Sequence, residues 1–207
     1  MDTTPLPFGR PRPERADAAR NRAHLLEVAR GLIEELGVEQ LTMDGLAERA
    51  GLGKGTVFRR FGTRAGIFAA LIDDAERDLQ QRVLSGPPPL GPGADPLARL
   101  VAYGRARIDF LFAHHAIARA TLERDRPVPA GGMSGTHIRT LLGQARREGT
   151  LDIADVDSLA VQLTAALEGP LLLYLAADDA SARAATARPA LADCWQTIVE
   201  RVMAPRG

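Results

Sequence analysis

Apolar side chains recur at spacings of three and four residues along most of this 207-residue chain. Such a spacing places them on one face of an α-helix, whereas a half-buried strand needs alternation with period two. No run of β-branched residues alternates in that way, and no internal repeat recurs at a fixed spacing. The sequence therefore predicts an all-α protein of about nine helices.

Glycine, proline and capping residues indicate where the predicted helices end. Residues 85–96 hold five prolines and three glycines, which neither helix nor strand tolerates, so we predict a linker there. We also expect Pro170 to break or kink a long apolar helix. The predicted helices cover residues 20–36, 43–50, 56–61, 63–83, 97–114, 116–123, 136–148, 158–175 and 187–203.

Composition excludes several classes of protein. The single cysteine, Cys194, rules out an intrachain disulfide and a multi-cysteine metal site, and it fits a reducing cytoplasm. The amino terminus lacks the apolar region of a secretory signal, and the most apolar run, GPLLLYLAA, is too short to span a bilayer. We therefore expect a cytoplasmic protein with no membrane partner.

One stretch carries a local positive charge although the whole chain has a net charge of zero. Residues 49–64 contain five basic and no acidic side chains, including Lys54, which is the single lysine of the chain. Two short helices joined by a glycine-containing turn, with the second one basic, indicate a helix-turn-helix. We expect Gly51 to take a left-handed conformation at the turn. Gly53 and Gly55 would leave the next backbone N–H groups open to a phosphate.

The stretch LLEVARGLIEELGVEQLTMDGLAERAGLGKGTVFRRFGTRAGIFAAL resembles the N-terminal domain of the TetR family of one-component bacterial repressors. The resemblance covers about a quarter of the chain, from about Arg20 to Leu71. Phe58 stands where the family usually has tyrosine, and Gly53 where serine is common, so two hydroxyl groups are missing. The residues that the resemblance places at DNA are Thr42, Gly53, Lys54, Gly55, Thr56, Phe58, Arg59, Arg60, Thr63 and Arg64.

The resemblance also implies that the last two helices of each subunit form a four-helix bundle in a homodimer. Alternatively, the same apolar face belongs to the core of the monomer, and both interpretations can hold in part. The stretch THIRTLLGQARREGTLDIADVDSLA is similar to a C-terminal subfamily of these regulators. The predicted dimer interface consists of Leu159, Leu163, Ala166, Leu171, Trp195, Ile198, Val199 and Val202.

Polar and aromatic side chains on the apolar middle helices are candidates for lining an effector pocket. Each has a simpler alternative: helix-end histidines cap, and Arg105 and Asp109 can pair on the surface. A metal site of His114, His115 and His137 is disfavoured because adjacent histidines face different directions. We predict no metal and no cofactor. The candidate effector residues are Tyr103, Arg105, Asp109, Phe112, His115, His137, Gln162, Glu168 and Tyr174.

The sequence carries none of the common catalytic motifs, so we predict a protein that is not an enzyme and has no catalytic residues. We expect a flexible basic arm over residues 1–19, a helix-turn-helix domain over 20–66, and a regulatory and dimerisation domain over 67–207. The predicted function is that of a dimeric repressor that binds double-stranded operator DNA. A small molecule is expected to release it from the operator. The alternative is a DNA-binding regulator that is constitutive or controlled by a protein.

Overall fold

A computed structural model describes residues 13–122, 132–175 and 180–204. These residues form nine α-helices and one short 3₁₀ helix, with no strand among them, which confirms the predicted all-α class. The 3₁₀ helix covers Val38–Gln40. The α-helices are α1 (Pro13–Leu36), α2 (Met43–Arg49), α3 (Lys54–Phe61), α4 (Arg64–Ser85), α5 (Pro96–Ala113), α6 (His115–Leu122), α7 (Gly132–Arg147), α8 (Val156–Leu175) and α9 (Ala180–Met203).

The first helix begins earlier than the sequence suggested. We expected a flexible arm over residues 1–19, but α1 begins at Pro13, so that prediction is wrong for residues 13–19. A proline suits the first turn of a helix because its fixed φ is helical and its missing N–H has no intrahelical partner there. The alanines and charged residues that follow are good helix formers. Residues 1–12 lie outside the described residues.

Two later elements also differ from their predicted bounds. Helix α8 continues through Pro170 to Leu175, so the helix does not break there, and the alternative of a kink at Pro170 stays a prediction. Helix α9 begins at Ala180 rather than Ala187 and contains Pro189. The segment before Pro189 is rich in alanine, whose high helix propensity offsets part of the cost of an internal proline.

The contacts divide the chain into two units between Leu71 and Ile72, within α4. The sequence-based boundary at residue 66 lies a few residues earlier. In the first unit, α1, α2, α3 and the start of α4 each contribute fully buried apolar side chains. These are Leu25, Leu26, Leu46, Val57, Ile67 and Phe68.

The core of the second unit depends on a close approach of α5 and α9. A Cβ atom at Gly104 would overlap the indole of Trp195, so glycine is required at this contact. The Trp195 indole Nε1 donates a hydrogen bond of 3.1 Å to the carbonyl oxygen of Leu100, which fixes the ring in place. Helices α7 and α8 complete the same core with residues such as Leu142 and Leu163. Within the described residues, no helix is both long and apolar enough to cross a bilayer.

Candidate nucleic-acid interface

Helices α2 and α3 form the predicted helix-turn-helix. The Thr42 hydroxyl accepts a hydrogen bond of 3.0 Å from the backbone N–H of Gly45, which caps α2 as the sequence suggested. The turn passes through Gly51 at φ 65°, a left-handed angle that confirms the expectation for this glycine. Gly53 then precedes α3 as its N-cap, without a side-chain hydrogen bond.

Helix α3 buries one side and exposes a basic side. Val57 is fully buried in the first unit, whereas Lys54, Arg59 and Arg60 are exposed. Phe58 is also exposed to 49% of its surface, which is unusual for a large apolar side chain and leaves its ring available to a partner. The exposed side of α3 therefore combines positive charge with one aromatic ring.

The glycines that flank Lys54 are not required by the packing of the chain. A Cβ atom at Gly53 or at Gly55 would meet no atom within 4 Å. Both residues are exposed, so the backbone at the start of α3 is open to the outside. Their lack of a side chain is therefore not explained by a neighbouring helix.

Folding supplies carboxylates to a stretch whose sequence contains none. Three of its five cations face an acidic side chain from α1, the 3₁₀ helix or α2. The atoms are 2.5 to 3.5 Å apart, and all the acids come from outside residues 49–64. The pairs are Arg49 with Glu35, Lys54 with Asp44, and Arg64 with Glu39.

Arg64 and Thr63 also make contacts within the first unit. The Arg64 guanidinium donates a 2.7 Å hydrogen bond to the Val38 carbonyl oxygen and lies 4.9 Å from the centre of the Phe68 ring. The Thr63 hydroxyl accepts a 3.1 Å hydrogen bond from the backbone N–H of Gly66 and so caps α4. Both residues were predicted to contact DNA, which stays a prediction, and both have a structural role in the first unit.

Arg59 and Arg60 are the cations of the stretch for which the described residues provide no carboxylate. Arg59 makes one internal hydrogen bond, from Nε to the carbonyl oxygen of Gly55 at 3.2 Å. Both arginines and the half-buried Thr56 line an open concavity of about 520 Å³. Its other wall is α1, through Asp17, Ala18 and Asn21.

The contribution of α1 to this concavity was missed by the sequence reasoning. Asp17 had been assigned to the flexible arm, and Asn21 had no role. Had the helix been extended back to Pro13, residues 17 and 21 would have been four apart on one helical face. Asp17 pairs with Arg20, so its charge is partly compensated.

In the second unit, a polar cluster surrounds Arg107, which is only 6% exposed. Its guanidinium donates to Glu76 of α4 at 2.6 Å and to both oxygens of Glu168 of α8 at 2.8 and 3.2 Å. Glu168 also accepts a 2.6 Å hydrogen bond from the Ser134 hydroxyl, which in turn accepts one of 2.8 Å from Tyr103. Burial raises the pKa of Tyr103.

The sequence identified Tyr103 and Glu168 but missed Arg107, Glu76 and Ser134. A signal for Arg107 was present, because it follows Tyr103 by four residues and precedes Leu111 by four. That spacing places it on the buried face of α5. An arginine on a buried helical face needs a carboxylate from another element.

Other predicted effector residues lie apart from this cluster. Arg105 contacts Asp193 and Gln196 of α9, while Asp109 pairs with Arg188 at 2.6 Å, so the suggested pairing of Arg105 with Asp109 does not form. Gln162 is exposed. Phe112 lines a small apolar cavity of about 40 Å³ between α5, α8 and α9. The side chain of Tyr174 lies outside the described residues.

Two histidines have a buried ring nitrogen without a hydrogen-bond partner. They are His115, which is 5% exposed, and His137, whose ring centre lies 4.7 Å from that of Tyr103. Burial, with the positive charge of Arg99 adding to it, lowers the pKa of His137 from 6.5 to about 4. No group of three His, Cys, Asp or Glu side chains in the described part of the chain is placed to hold a metal ion.

The structure changes the predicted dimer interface. Leu163, Trp195 and Val199 are at most 3% exposed and lie in the core of the second unit, so their side chains are not available to a partner. Leu159, Ile198 and Val202 are half-buried, and Ala166 is exposed. The Leu171 side chain lies outside the described residues. Helix α8 also exposes Val161, to 59% of its surface, and Ala165.

The likeness to known proteins is strongest in the first unit. Residues 25–71 match the model of bacterial regulatory proteins of the tetR family. HTH-type transcriptional regulators from several strains of Staphylococcus aureus are 37% identical over 65 residues. The match covers 31% of this chain and 34% of theirs, so the chain spans about a third of the length of these curated relatives.

Solved structures extend the likeness to nearly the whole chain. A TetR-family transcriptional regulator from Pectobacterium atrosepticum has a TM-score of 0.71 at 23% identity, over 95% of this chain and all of that one. The TetR family protein CprB from S. coelicolor has a TM-score of 0.56 at 20% identity, over 90% of each chain. At these identities the likeness shows a shared fold. The first unit thus matches the tetR family of bacterial regulatory proteins over residues 25–71, and the fold of the chain is similar to that of solved TetR-family regulators.

Proposed function

We propose that the protein is a transcriptional repressor that binds double-stranded operator DNA as a homodimer and is released by a small molecule. The observation that carries DNA binding is the exposed side of α3. There, Arg59 and Arg60 lie beside Thr56 and have no carboxylate partner among the described residues. Their charge is available to DNA without the loss of an ion pair.

The dimensions and chemistry of α3 fit the major groove. The groove admits a single α-helix, and arginine forms its best base contact with the acceptor edge of guanine. The exposed ring of Phe58 suits the methyl group of thymine or a sugar. We assign base contacts to Arg59 or Arg60 on this ground.

The two capping threonines are suited to bind backbone phosphates. In each, the hydroxyl oxygen already accepts a backbone N–H, from Gly45 for Thr42 and from Gly66 for Thr63. The hydroxyl hydrogen remains available to donate to a phosphate oxygen, because a hydroxyl both donates and accepts. The backbone N–H groups near Gly53 and Gly55 are open to solvent and can also donate to backbone phosphates.

Dimerisation follows from the way such domains bind DNA. A helix-turn-helix dimer occupies two half-sites about 34–36 Å apart, or a multiple of that distance. The second unit offers an exposed surface of α8 with Val161, Ala165 and Ala166. Small and apolar side chains of this kind allow a second helix to pack closely. We therefore assign the dimer contact to this side of α8 together with α9.

Release by a small molecule is the part of the proposal that concerns the second unit. Tyr103, Glu168 and His137 lie among the buried polar groups of its core, next to Arg107 and Ser134. Such groups could orient a ligand. A regulator of this kind would act in the cytoplasm. A screen for molecules that abolish operator binding tests this part, and a protein that no molecule releases would be a constitutive or protein-controlled regulator.

The DNA-binding part is tested with an operator selected by the purified chain from a random duplex library. We expect Arg60→Ala to weaken operator binding by about 1–3 kcal/mol and to relax the preference at one base pair. Arg82→Ala is the matched control, because it removes one exposed positive charge that belongs to the second unit rather than to the helix-turn-helix. A loss no larger than that of the control would contradict the assignment of Arg60. A chain that selects no sequence would contradict DNA binding altogether.

A further inference from the structure

We propose that Asp44 holds Lys54 away from DNA except on the operator, where a phosphate replaces the carboxylate. In the free protein, Asp44 holds Lys54, the first residue of α3, through an ion pair of 2.6 Å between Oδ2 and Nζ. Lys54 exchanges this carboxylate for a DNA phosphate on the operator but keeps it on other sequences. The inference rests on the proposed DNA-binding function.

The pair of Lys54 and Asp44 is the one that can open without a change in the fold. Its two side chains are 67% and 61% exposed, and a single contact joins them. By contrast, Arg49 contacts both oxygens of Glu35 and so joins α2 to α1. Arg64 is anchored by hydrogen bonding to the backbone. Both arginines thus have further contacts that hold them in place, whereas Lys54 is held by its contact with Asp44.

The position of Lys54 makes an anionic partner necessary. A cation at the first residue of a helix lies at the positive end of the helix dipole, which is unfavourable. The first turn of α3 contains no acidic residue, and its N-cap Gly53 has no side chain to offset the dipole. Asp44 supplies the missing anion in the free protein. A phosphate can replace it, because helix N-termini also favour phosphate.

Whether the exchange occurs depends on the DNA sequence, because opening the ion pair has a cost. Moving Lys54 to DNA opens an ion pair and leaves the Asp44 carboxylate facing a polyanion. This is offset only where α3 is seated in the groove and a phosphate is held next to Lys54. On other DNA, binding follows the backbone loosely, and no phosphate is fixed at that place. Asp44 therefore confines the Lys54 contact to the operator, and operator binding bears the cost of opening the ion pair.

The first test compares salt dependence for full-length wild type and Asp44→Asn on the selected operator and on a scrambled duplex of equal length. On the scrambled duplex, we expect Asp44→Asn to bind about two- to fivefold more tightly, the range that an exposed ion pair allows. For a homodimer, the slope of log K against log salt should steepen by about 1.8, because each subunit adds one phosphate contact and each contact contributes about 0.9. On the operator, the slope should not change.

Glu48→Gln is the matched control, because it removes one negative charge from the same helix. Glu48 is exposed, and its carboxylate has no partner in the described part of the chain. We expect the Glu48→Gln variant to bind the operator and the scrambled duplex more tightly by the same factor. The salt slopes of both duplexes should not change. In a Lys54→Gln background, Asp44→Asn should behave as Glu48→Gln does, since the contact is then already lost.

The second test uses the fact that Lys54 is the chain's single lysine. Protein labelled with ¹³C at lysine gives one lysine side-chain signal in NMR spectra. With wild type, we expect this signal to shift on addition of the operator and to keep its free position on the scrambled duplex. With Asp44→Asn, it should shift on both.

Two results would overturn the inference while leaving DNA binding intact. One is a slope on scrambled DNA that is the same for Asp44→Asn and Glu48→Gln. The other is a wild-type lysine signal that shifts equally on both duplexes. Failure of the purified chain to select any sequence would instead contradict the proposed function, and this inference with it.

Discussion

His137 combines a buried ring nitrogen with a neighbouring positive charge. Its Nε2 has no hydrogen-bond partner, and its ring packs against Tyr103 on the inner side of α7. Burial and Arg99 both disfavour the charged imidazolium, which explains why the pKa is lowered to about 4. The folded protein therefore keeps His137 neutral at pH values where the unfolded chain protonates it.

The pH dependence of stability follows from this difference. Between pH 6.5 and about 4 the unfolded state binds one proton more than the folded state at this site, so stability falls as the pH falls through that range. We expect His137→Phe, which keeps an aromatic ring and cannot titrate, to lose less stability between pH 7 and 4.5. Urea unfolding at a series of pH values measures this, and parallel profiles for both proteins would contradict it.

Single side chains could be predicted from the sequence where their role depends on near neighbours. The cap at Thr42 and the left-handed turn at Gly51 depend on residues within one helical turn, and both predictions are confirmed. The acid that pairs with Lys54 lies ten positions before it and becomes a neighbour only when α2 packs against α3. No local pattern reports such a contact.

At the scale of helices, Arg107 ties three elements of the second unit together. It lies on α5, and its carboxylate partners Glu76 and Glu168 come from α4 and α8. A buried ion pair adds little net stability compared with an apolar replacement, but removing one partner leaves the others uncompensated. The three side chains therefore have to be considered as one unit.

We expect Arg107→Met to lower the free energy of unfolding by about 2–4 kcal/mol, since it leaves two partly buried carboxylates without a cation. Arg105→Met on the same helix is the control. Its guanidinium contacts Asp193, which is 71% exposed, so the loss should stay below about 1 kcal/mol. Urea unfolding of both variants measures the difference. Equal losses of unfolding free energy in the two variants would mean that Arg107 contributes no more to stability than the exposed Arg105.

The presence of each helix could be predicted from apolar periodicity, whereas several ends could not. Periodicity sums over many residues, so one exception does not erase it. The position of a helix end depends on a few residues, for which the helical and the extended conformation have nearly equal free energy. Pro13 can open a helix or belong to an extended arm, and Pro189 can stop α9 or be carried within it. Packing, which is not visible in the sequence, decides between them.

For the whole molecule, the proposed dimer gives a direct prediction. Val161 is 59% exposed on α8, where the dimer contact is assigned. We expect Val161→Glu to convert a dimer to a monomer, because a charge buried in an apolar interface without a partner is costly. The adjacent exposed Gln162, changed to Glu, is the control for the added charge. Light scattering after size-exclusion chromatography gives the mass. A Val161→Glu protein that is still a dimer would show that Val161 does not lie in the interface.

The boundary between the two units could not be predicted from the proline and glycine content of the sequence. The proline- and glycine-rich segment 85–96 is the strongest break in the sequence, but it lies inside the second unit. The boundary between the two units lies instead within the continuous helix α4, which has no glycine or proline at that point. Composition finds the ends of helices, whereas the division into units depends on contacts between residues distant in sequence.

The glycines of this protein differ in what an added Cβ atom would meet. At Gly66 and Gly104 an added Cβ atom would overlap the Phe61 backbone or the Trp195 ring, so any substitution harms folding itself. At Gly53 and Gly55 the same atom meets empty space, so a folded chain tolerates it. A library of substitutions scored for abundance in the cell would deplete the first pair and retain the second. Scored for gene regulation, it would reveal whether the second pair is kept for a partner.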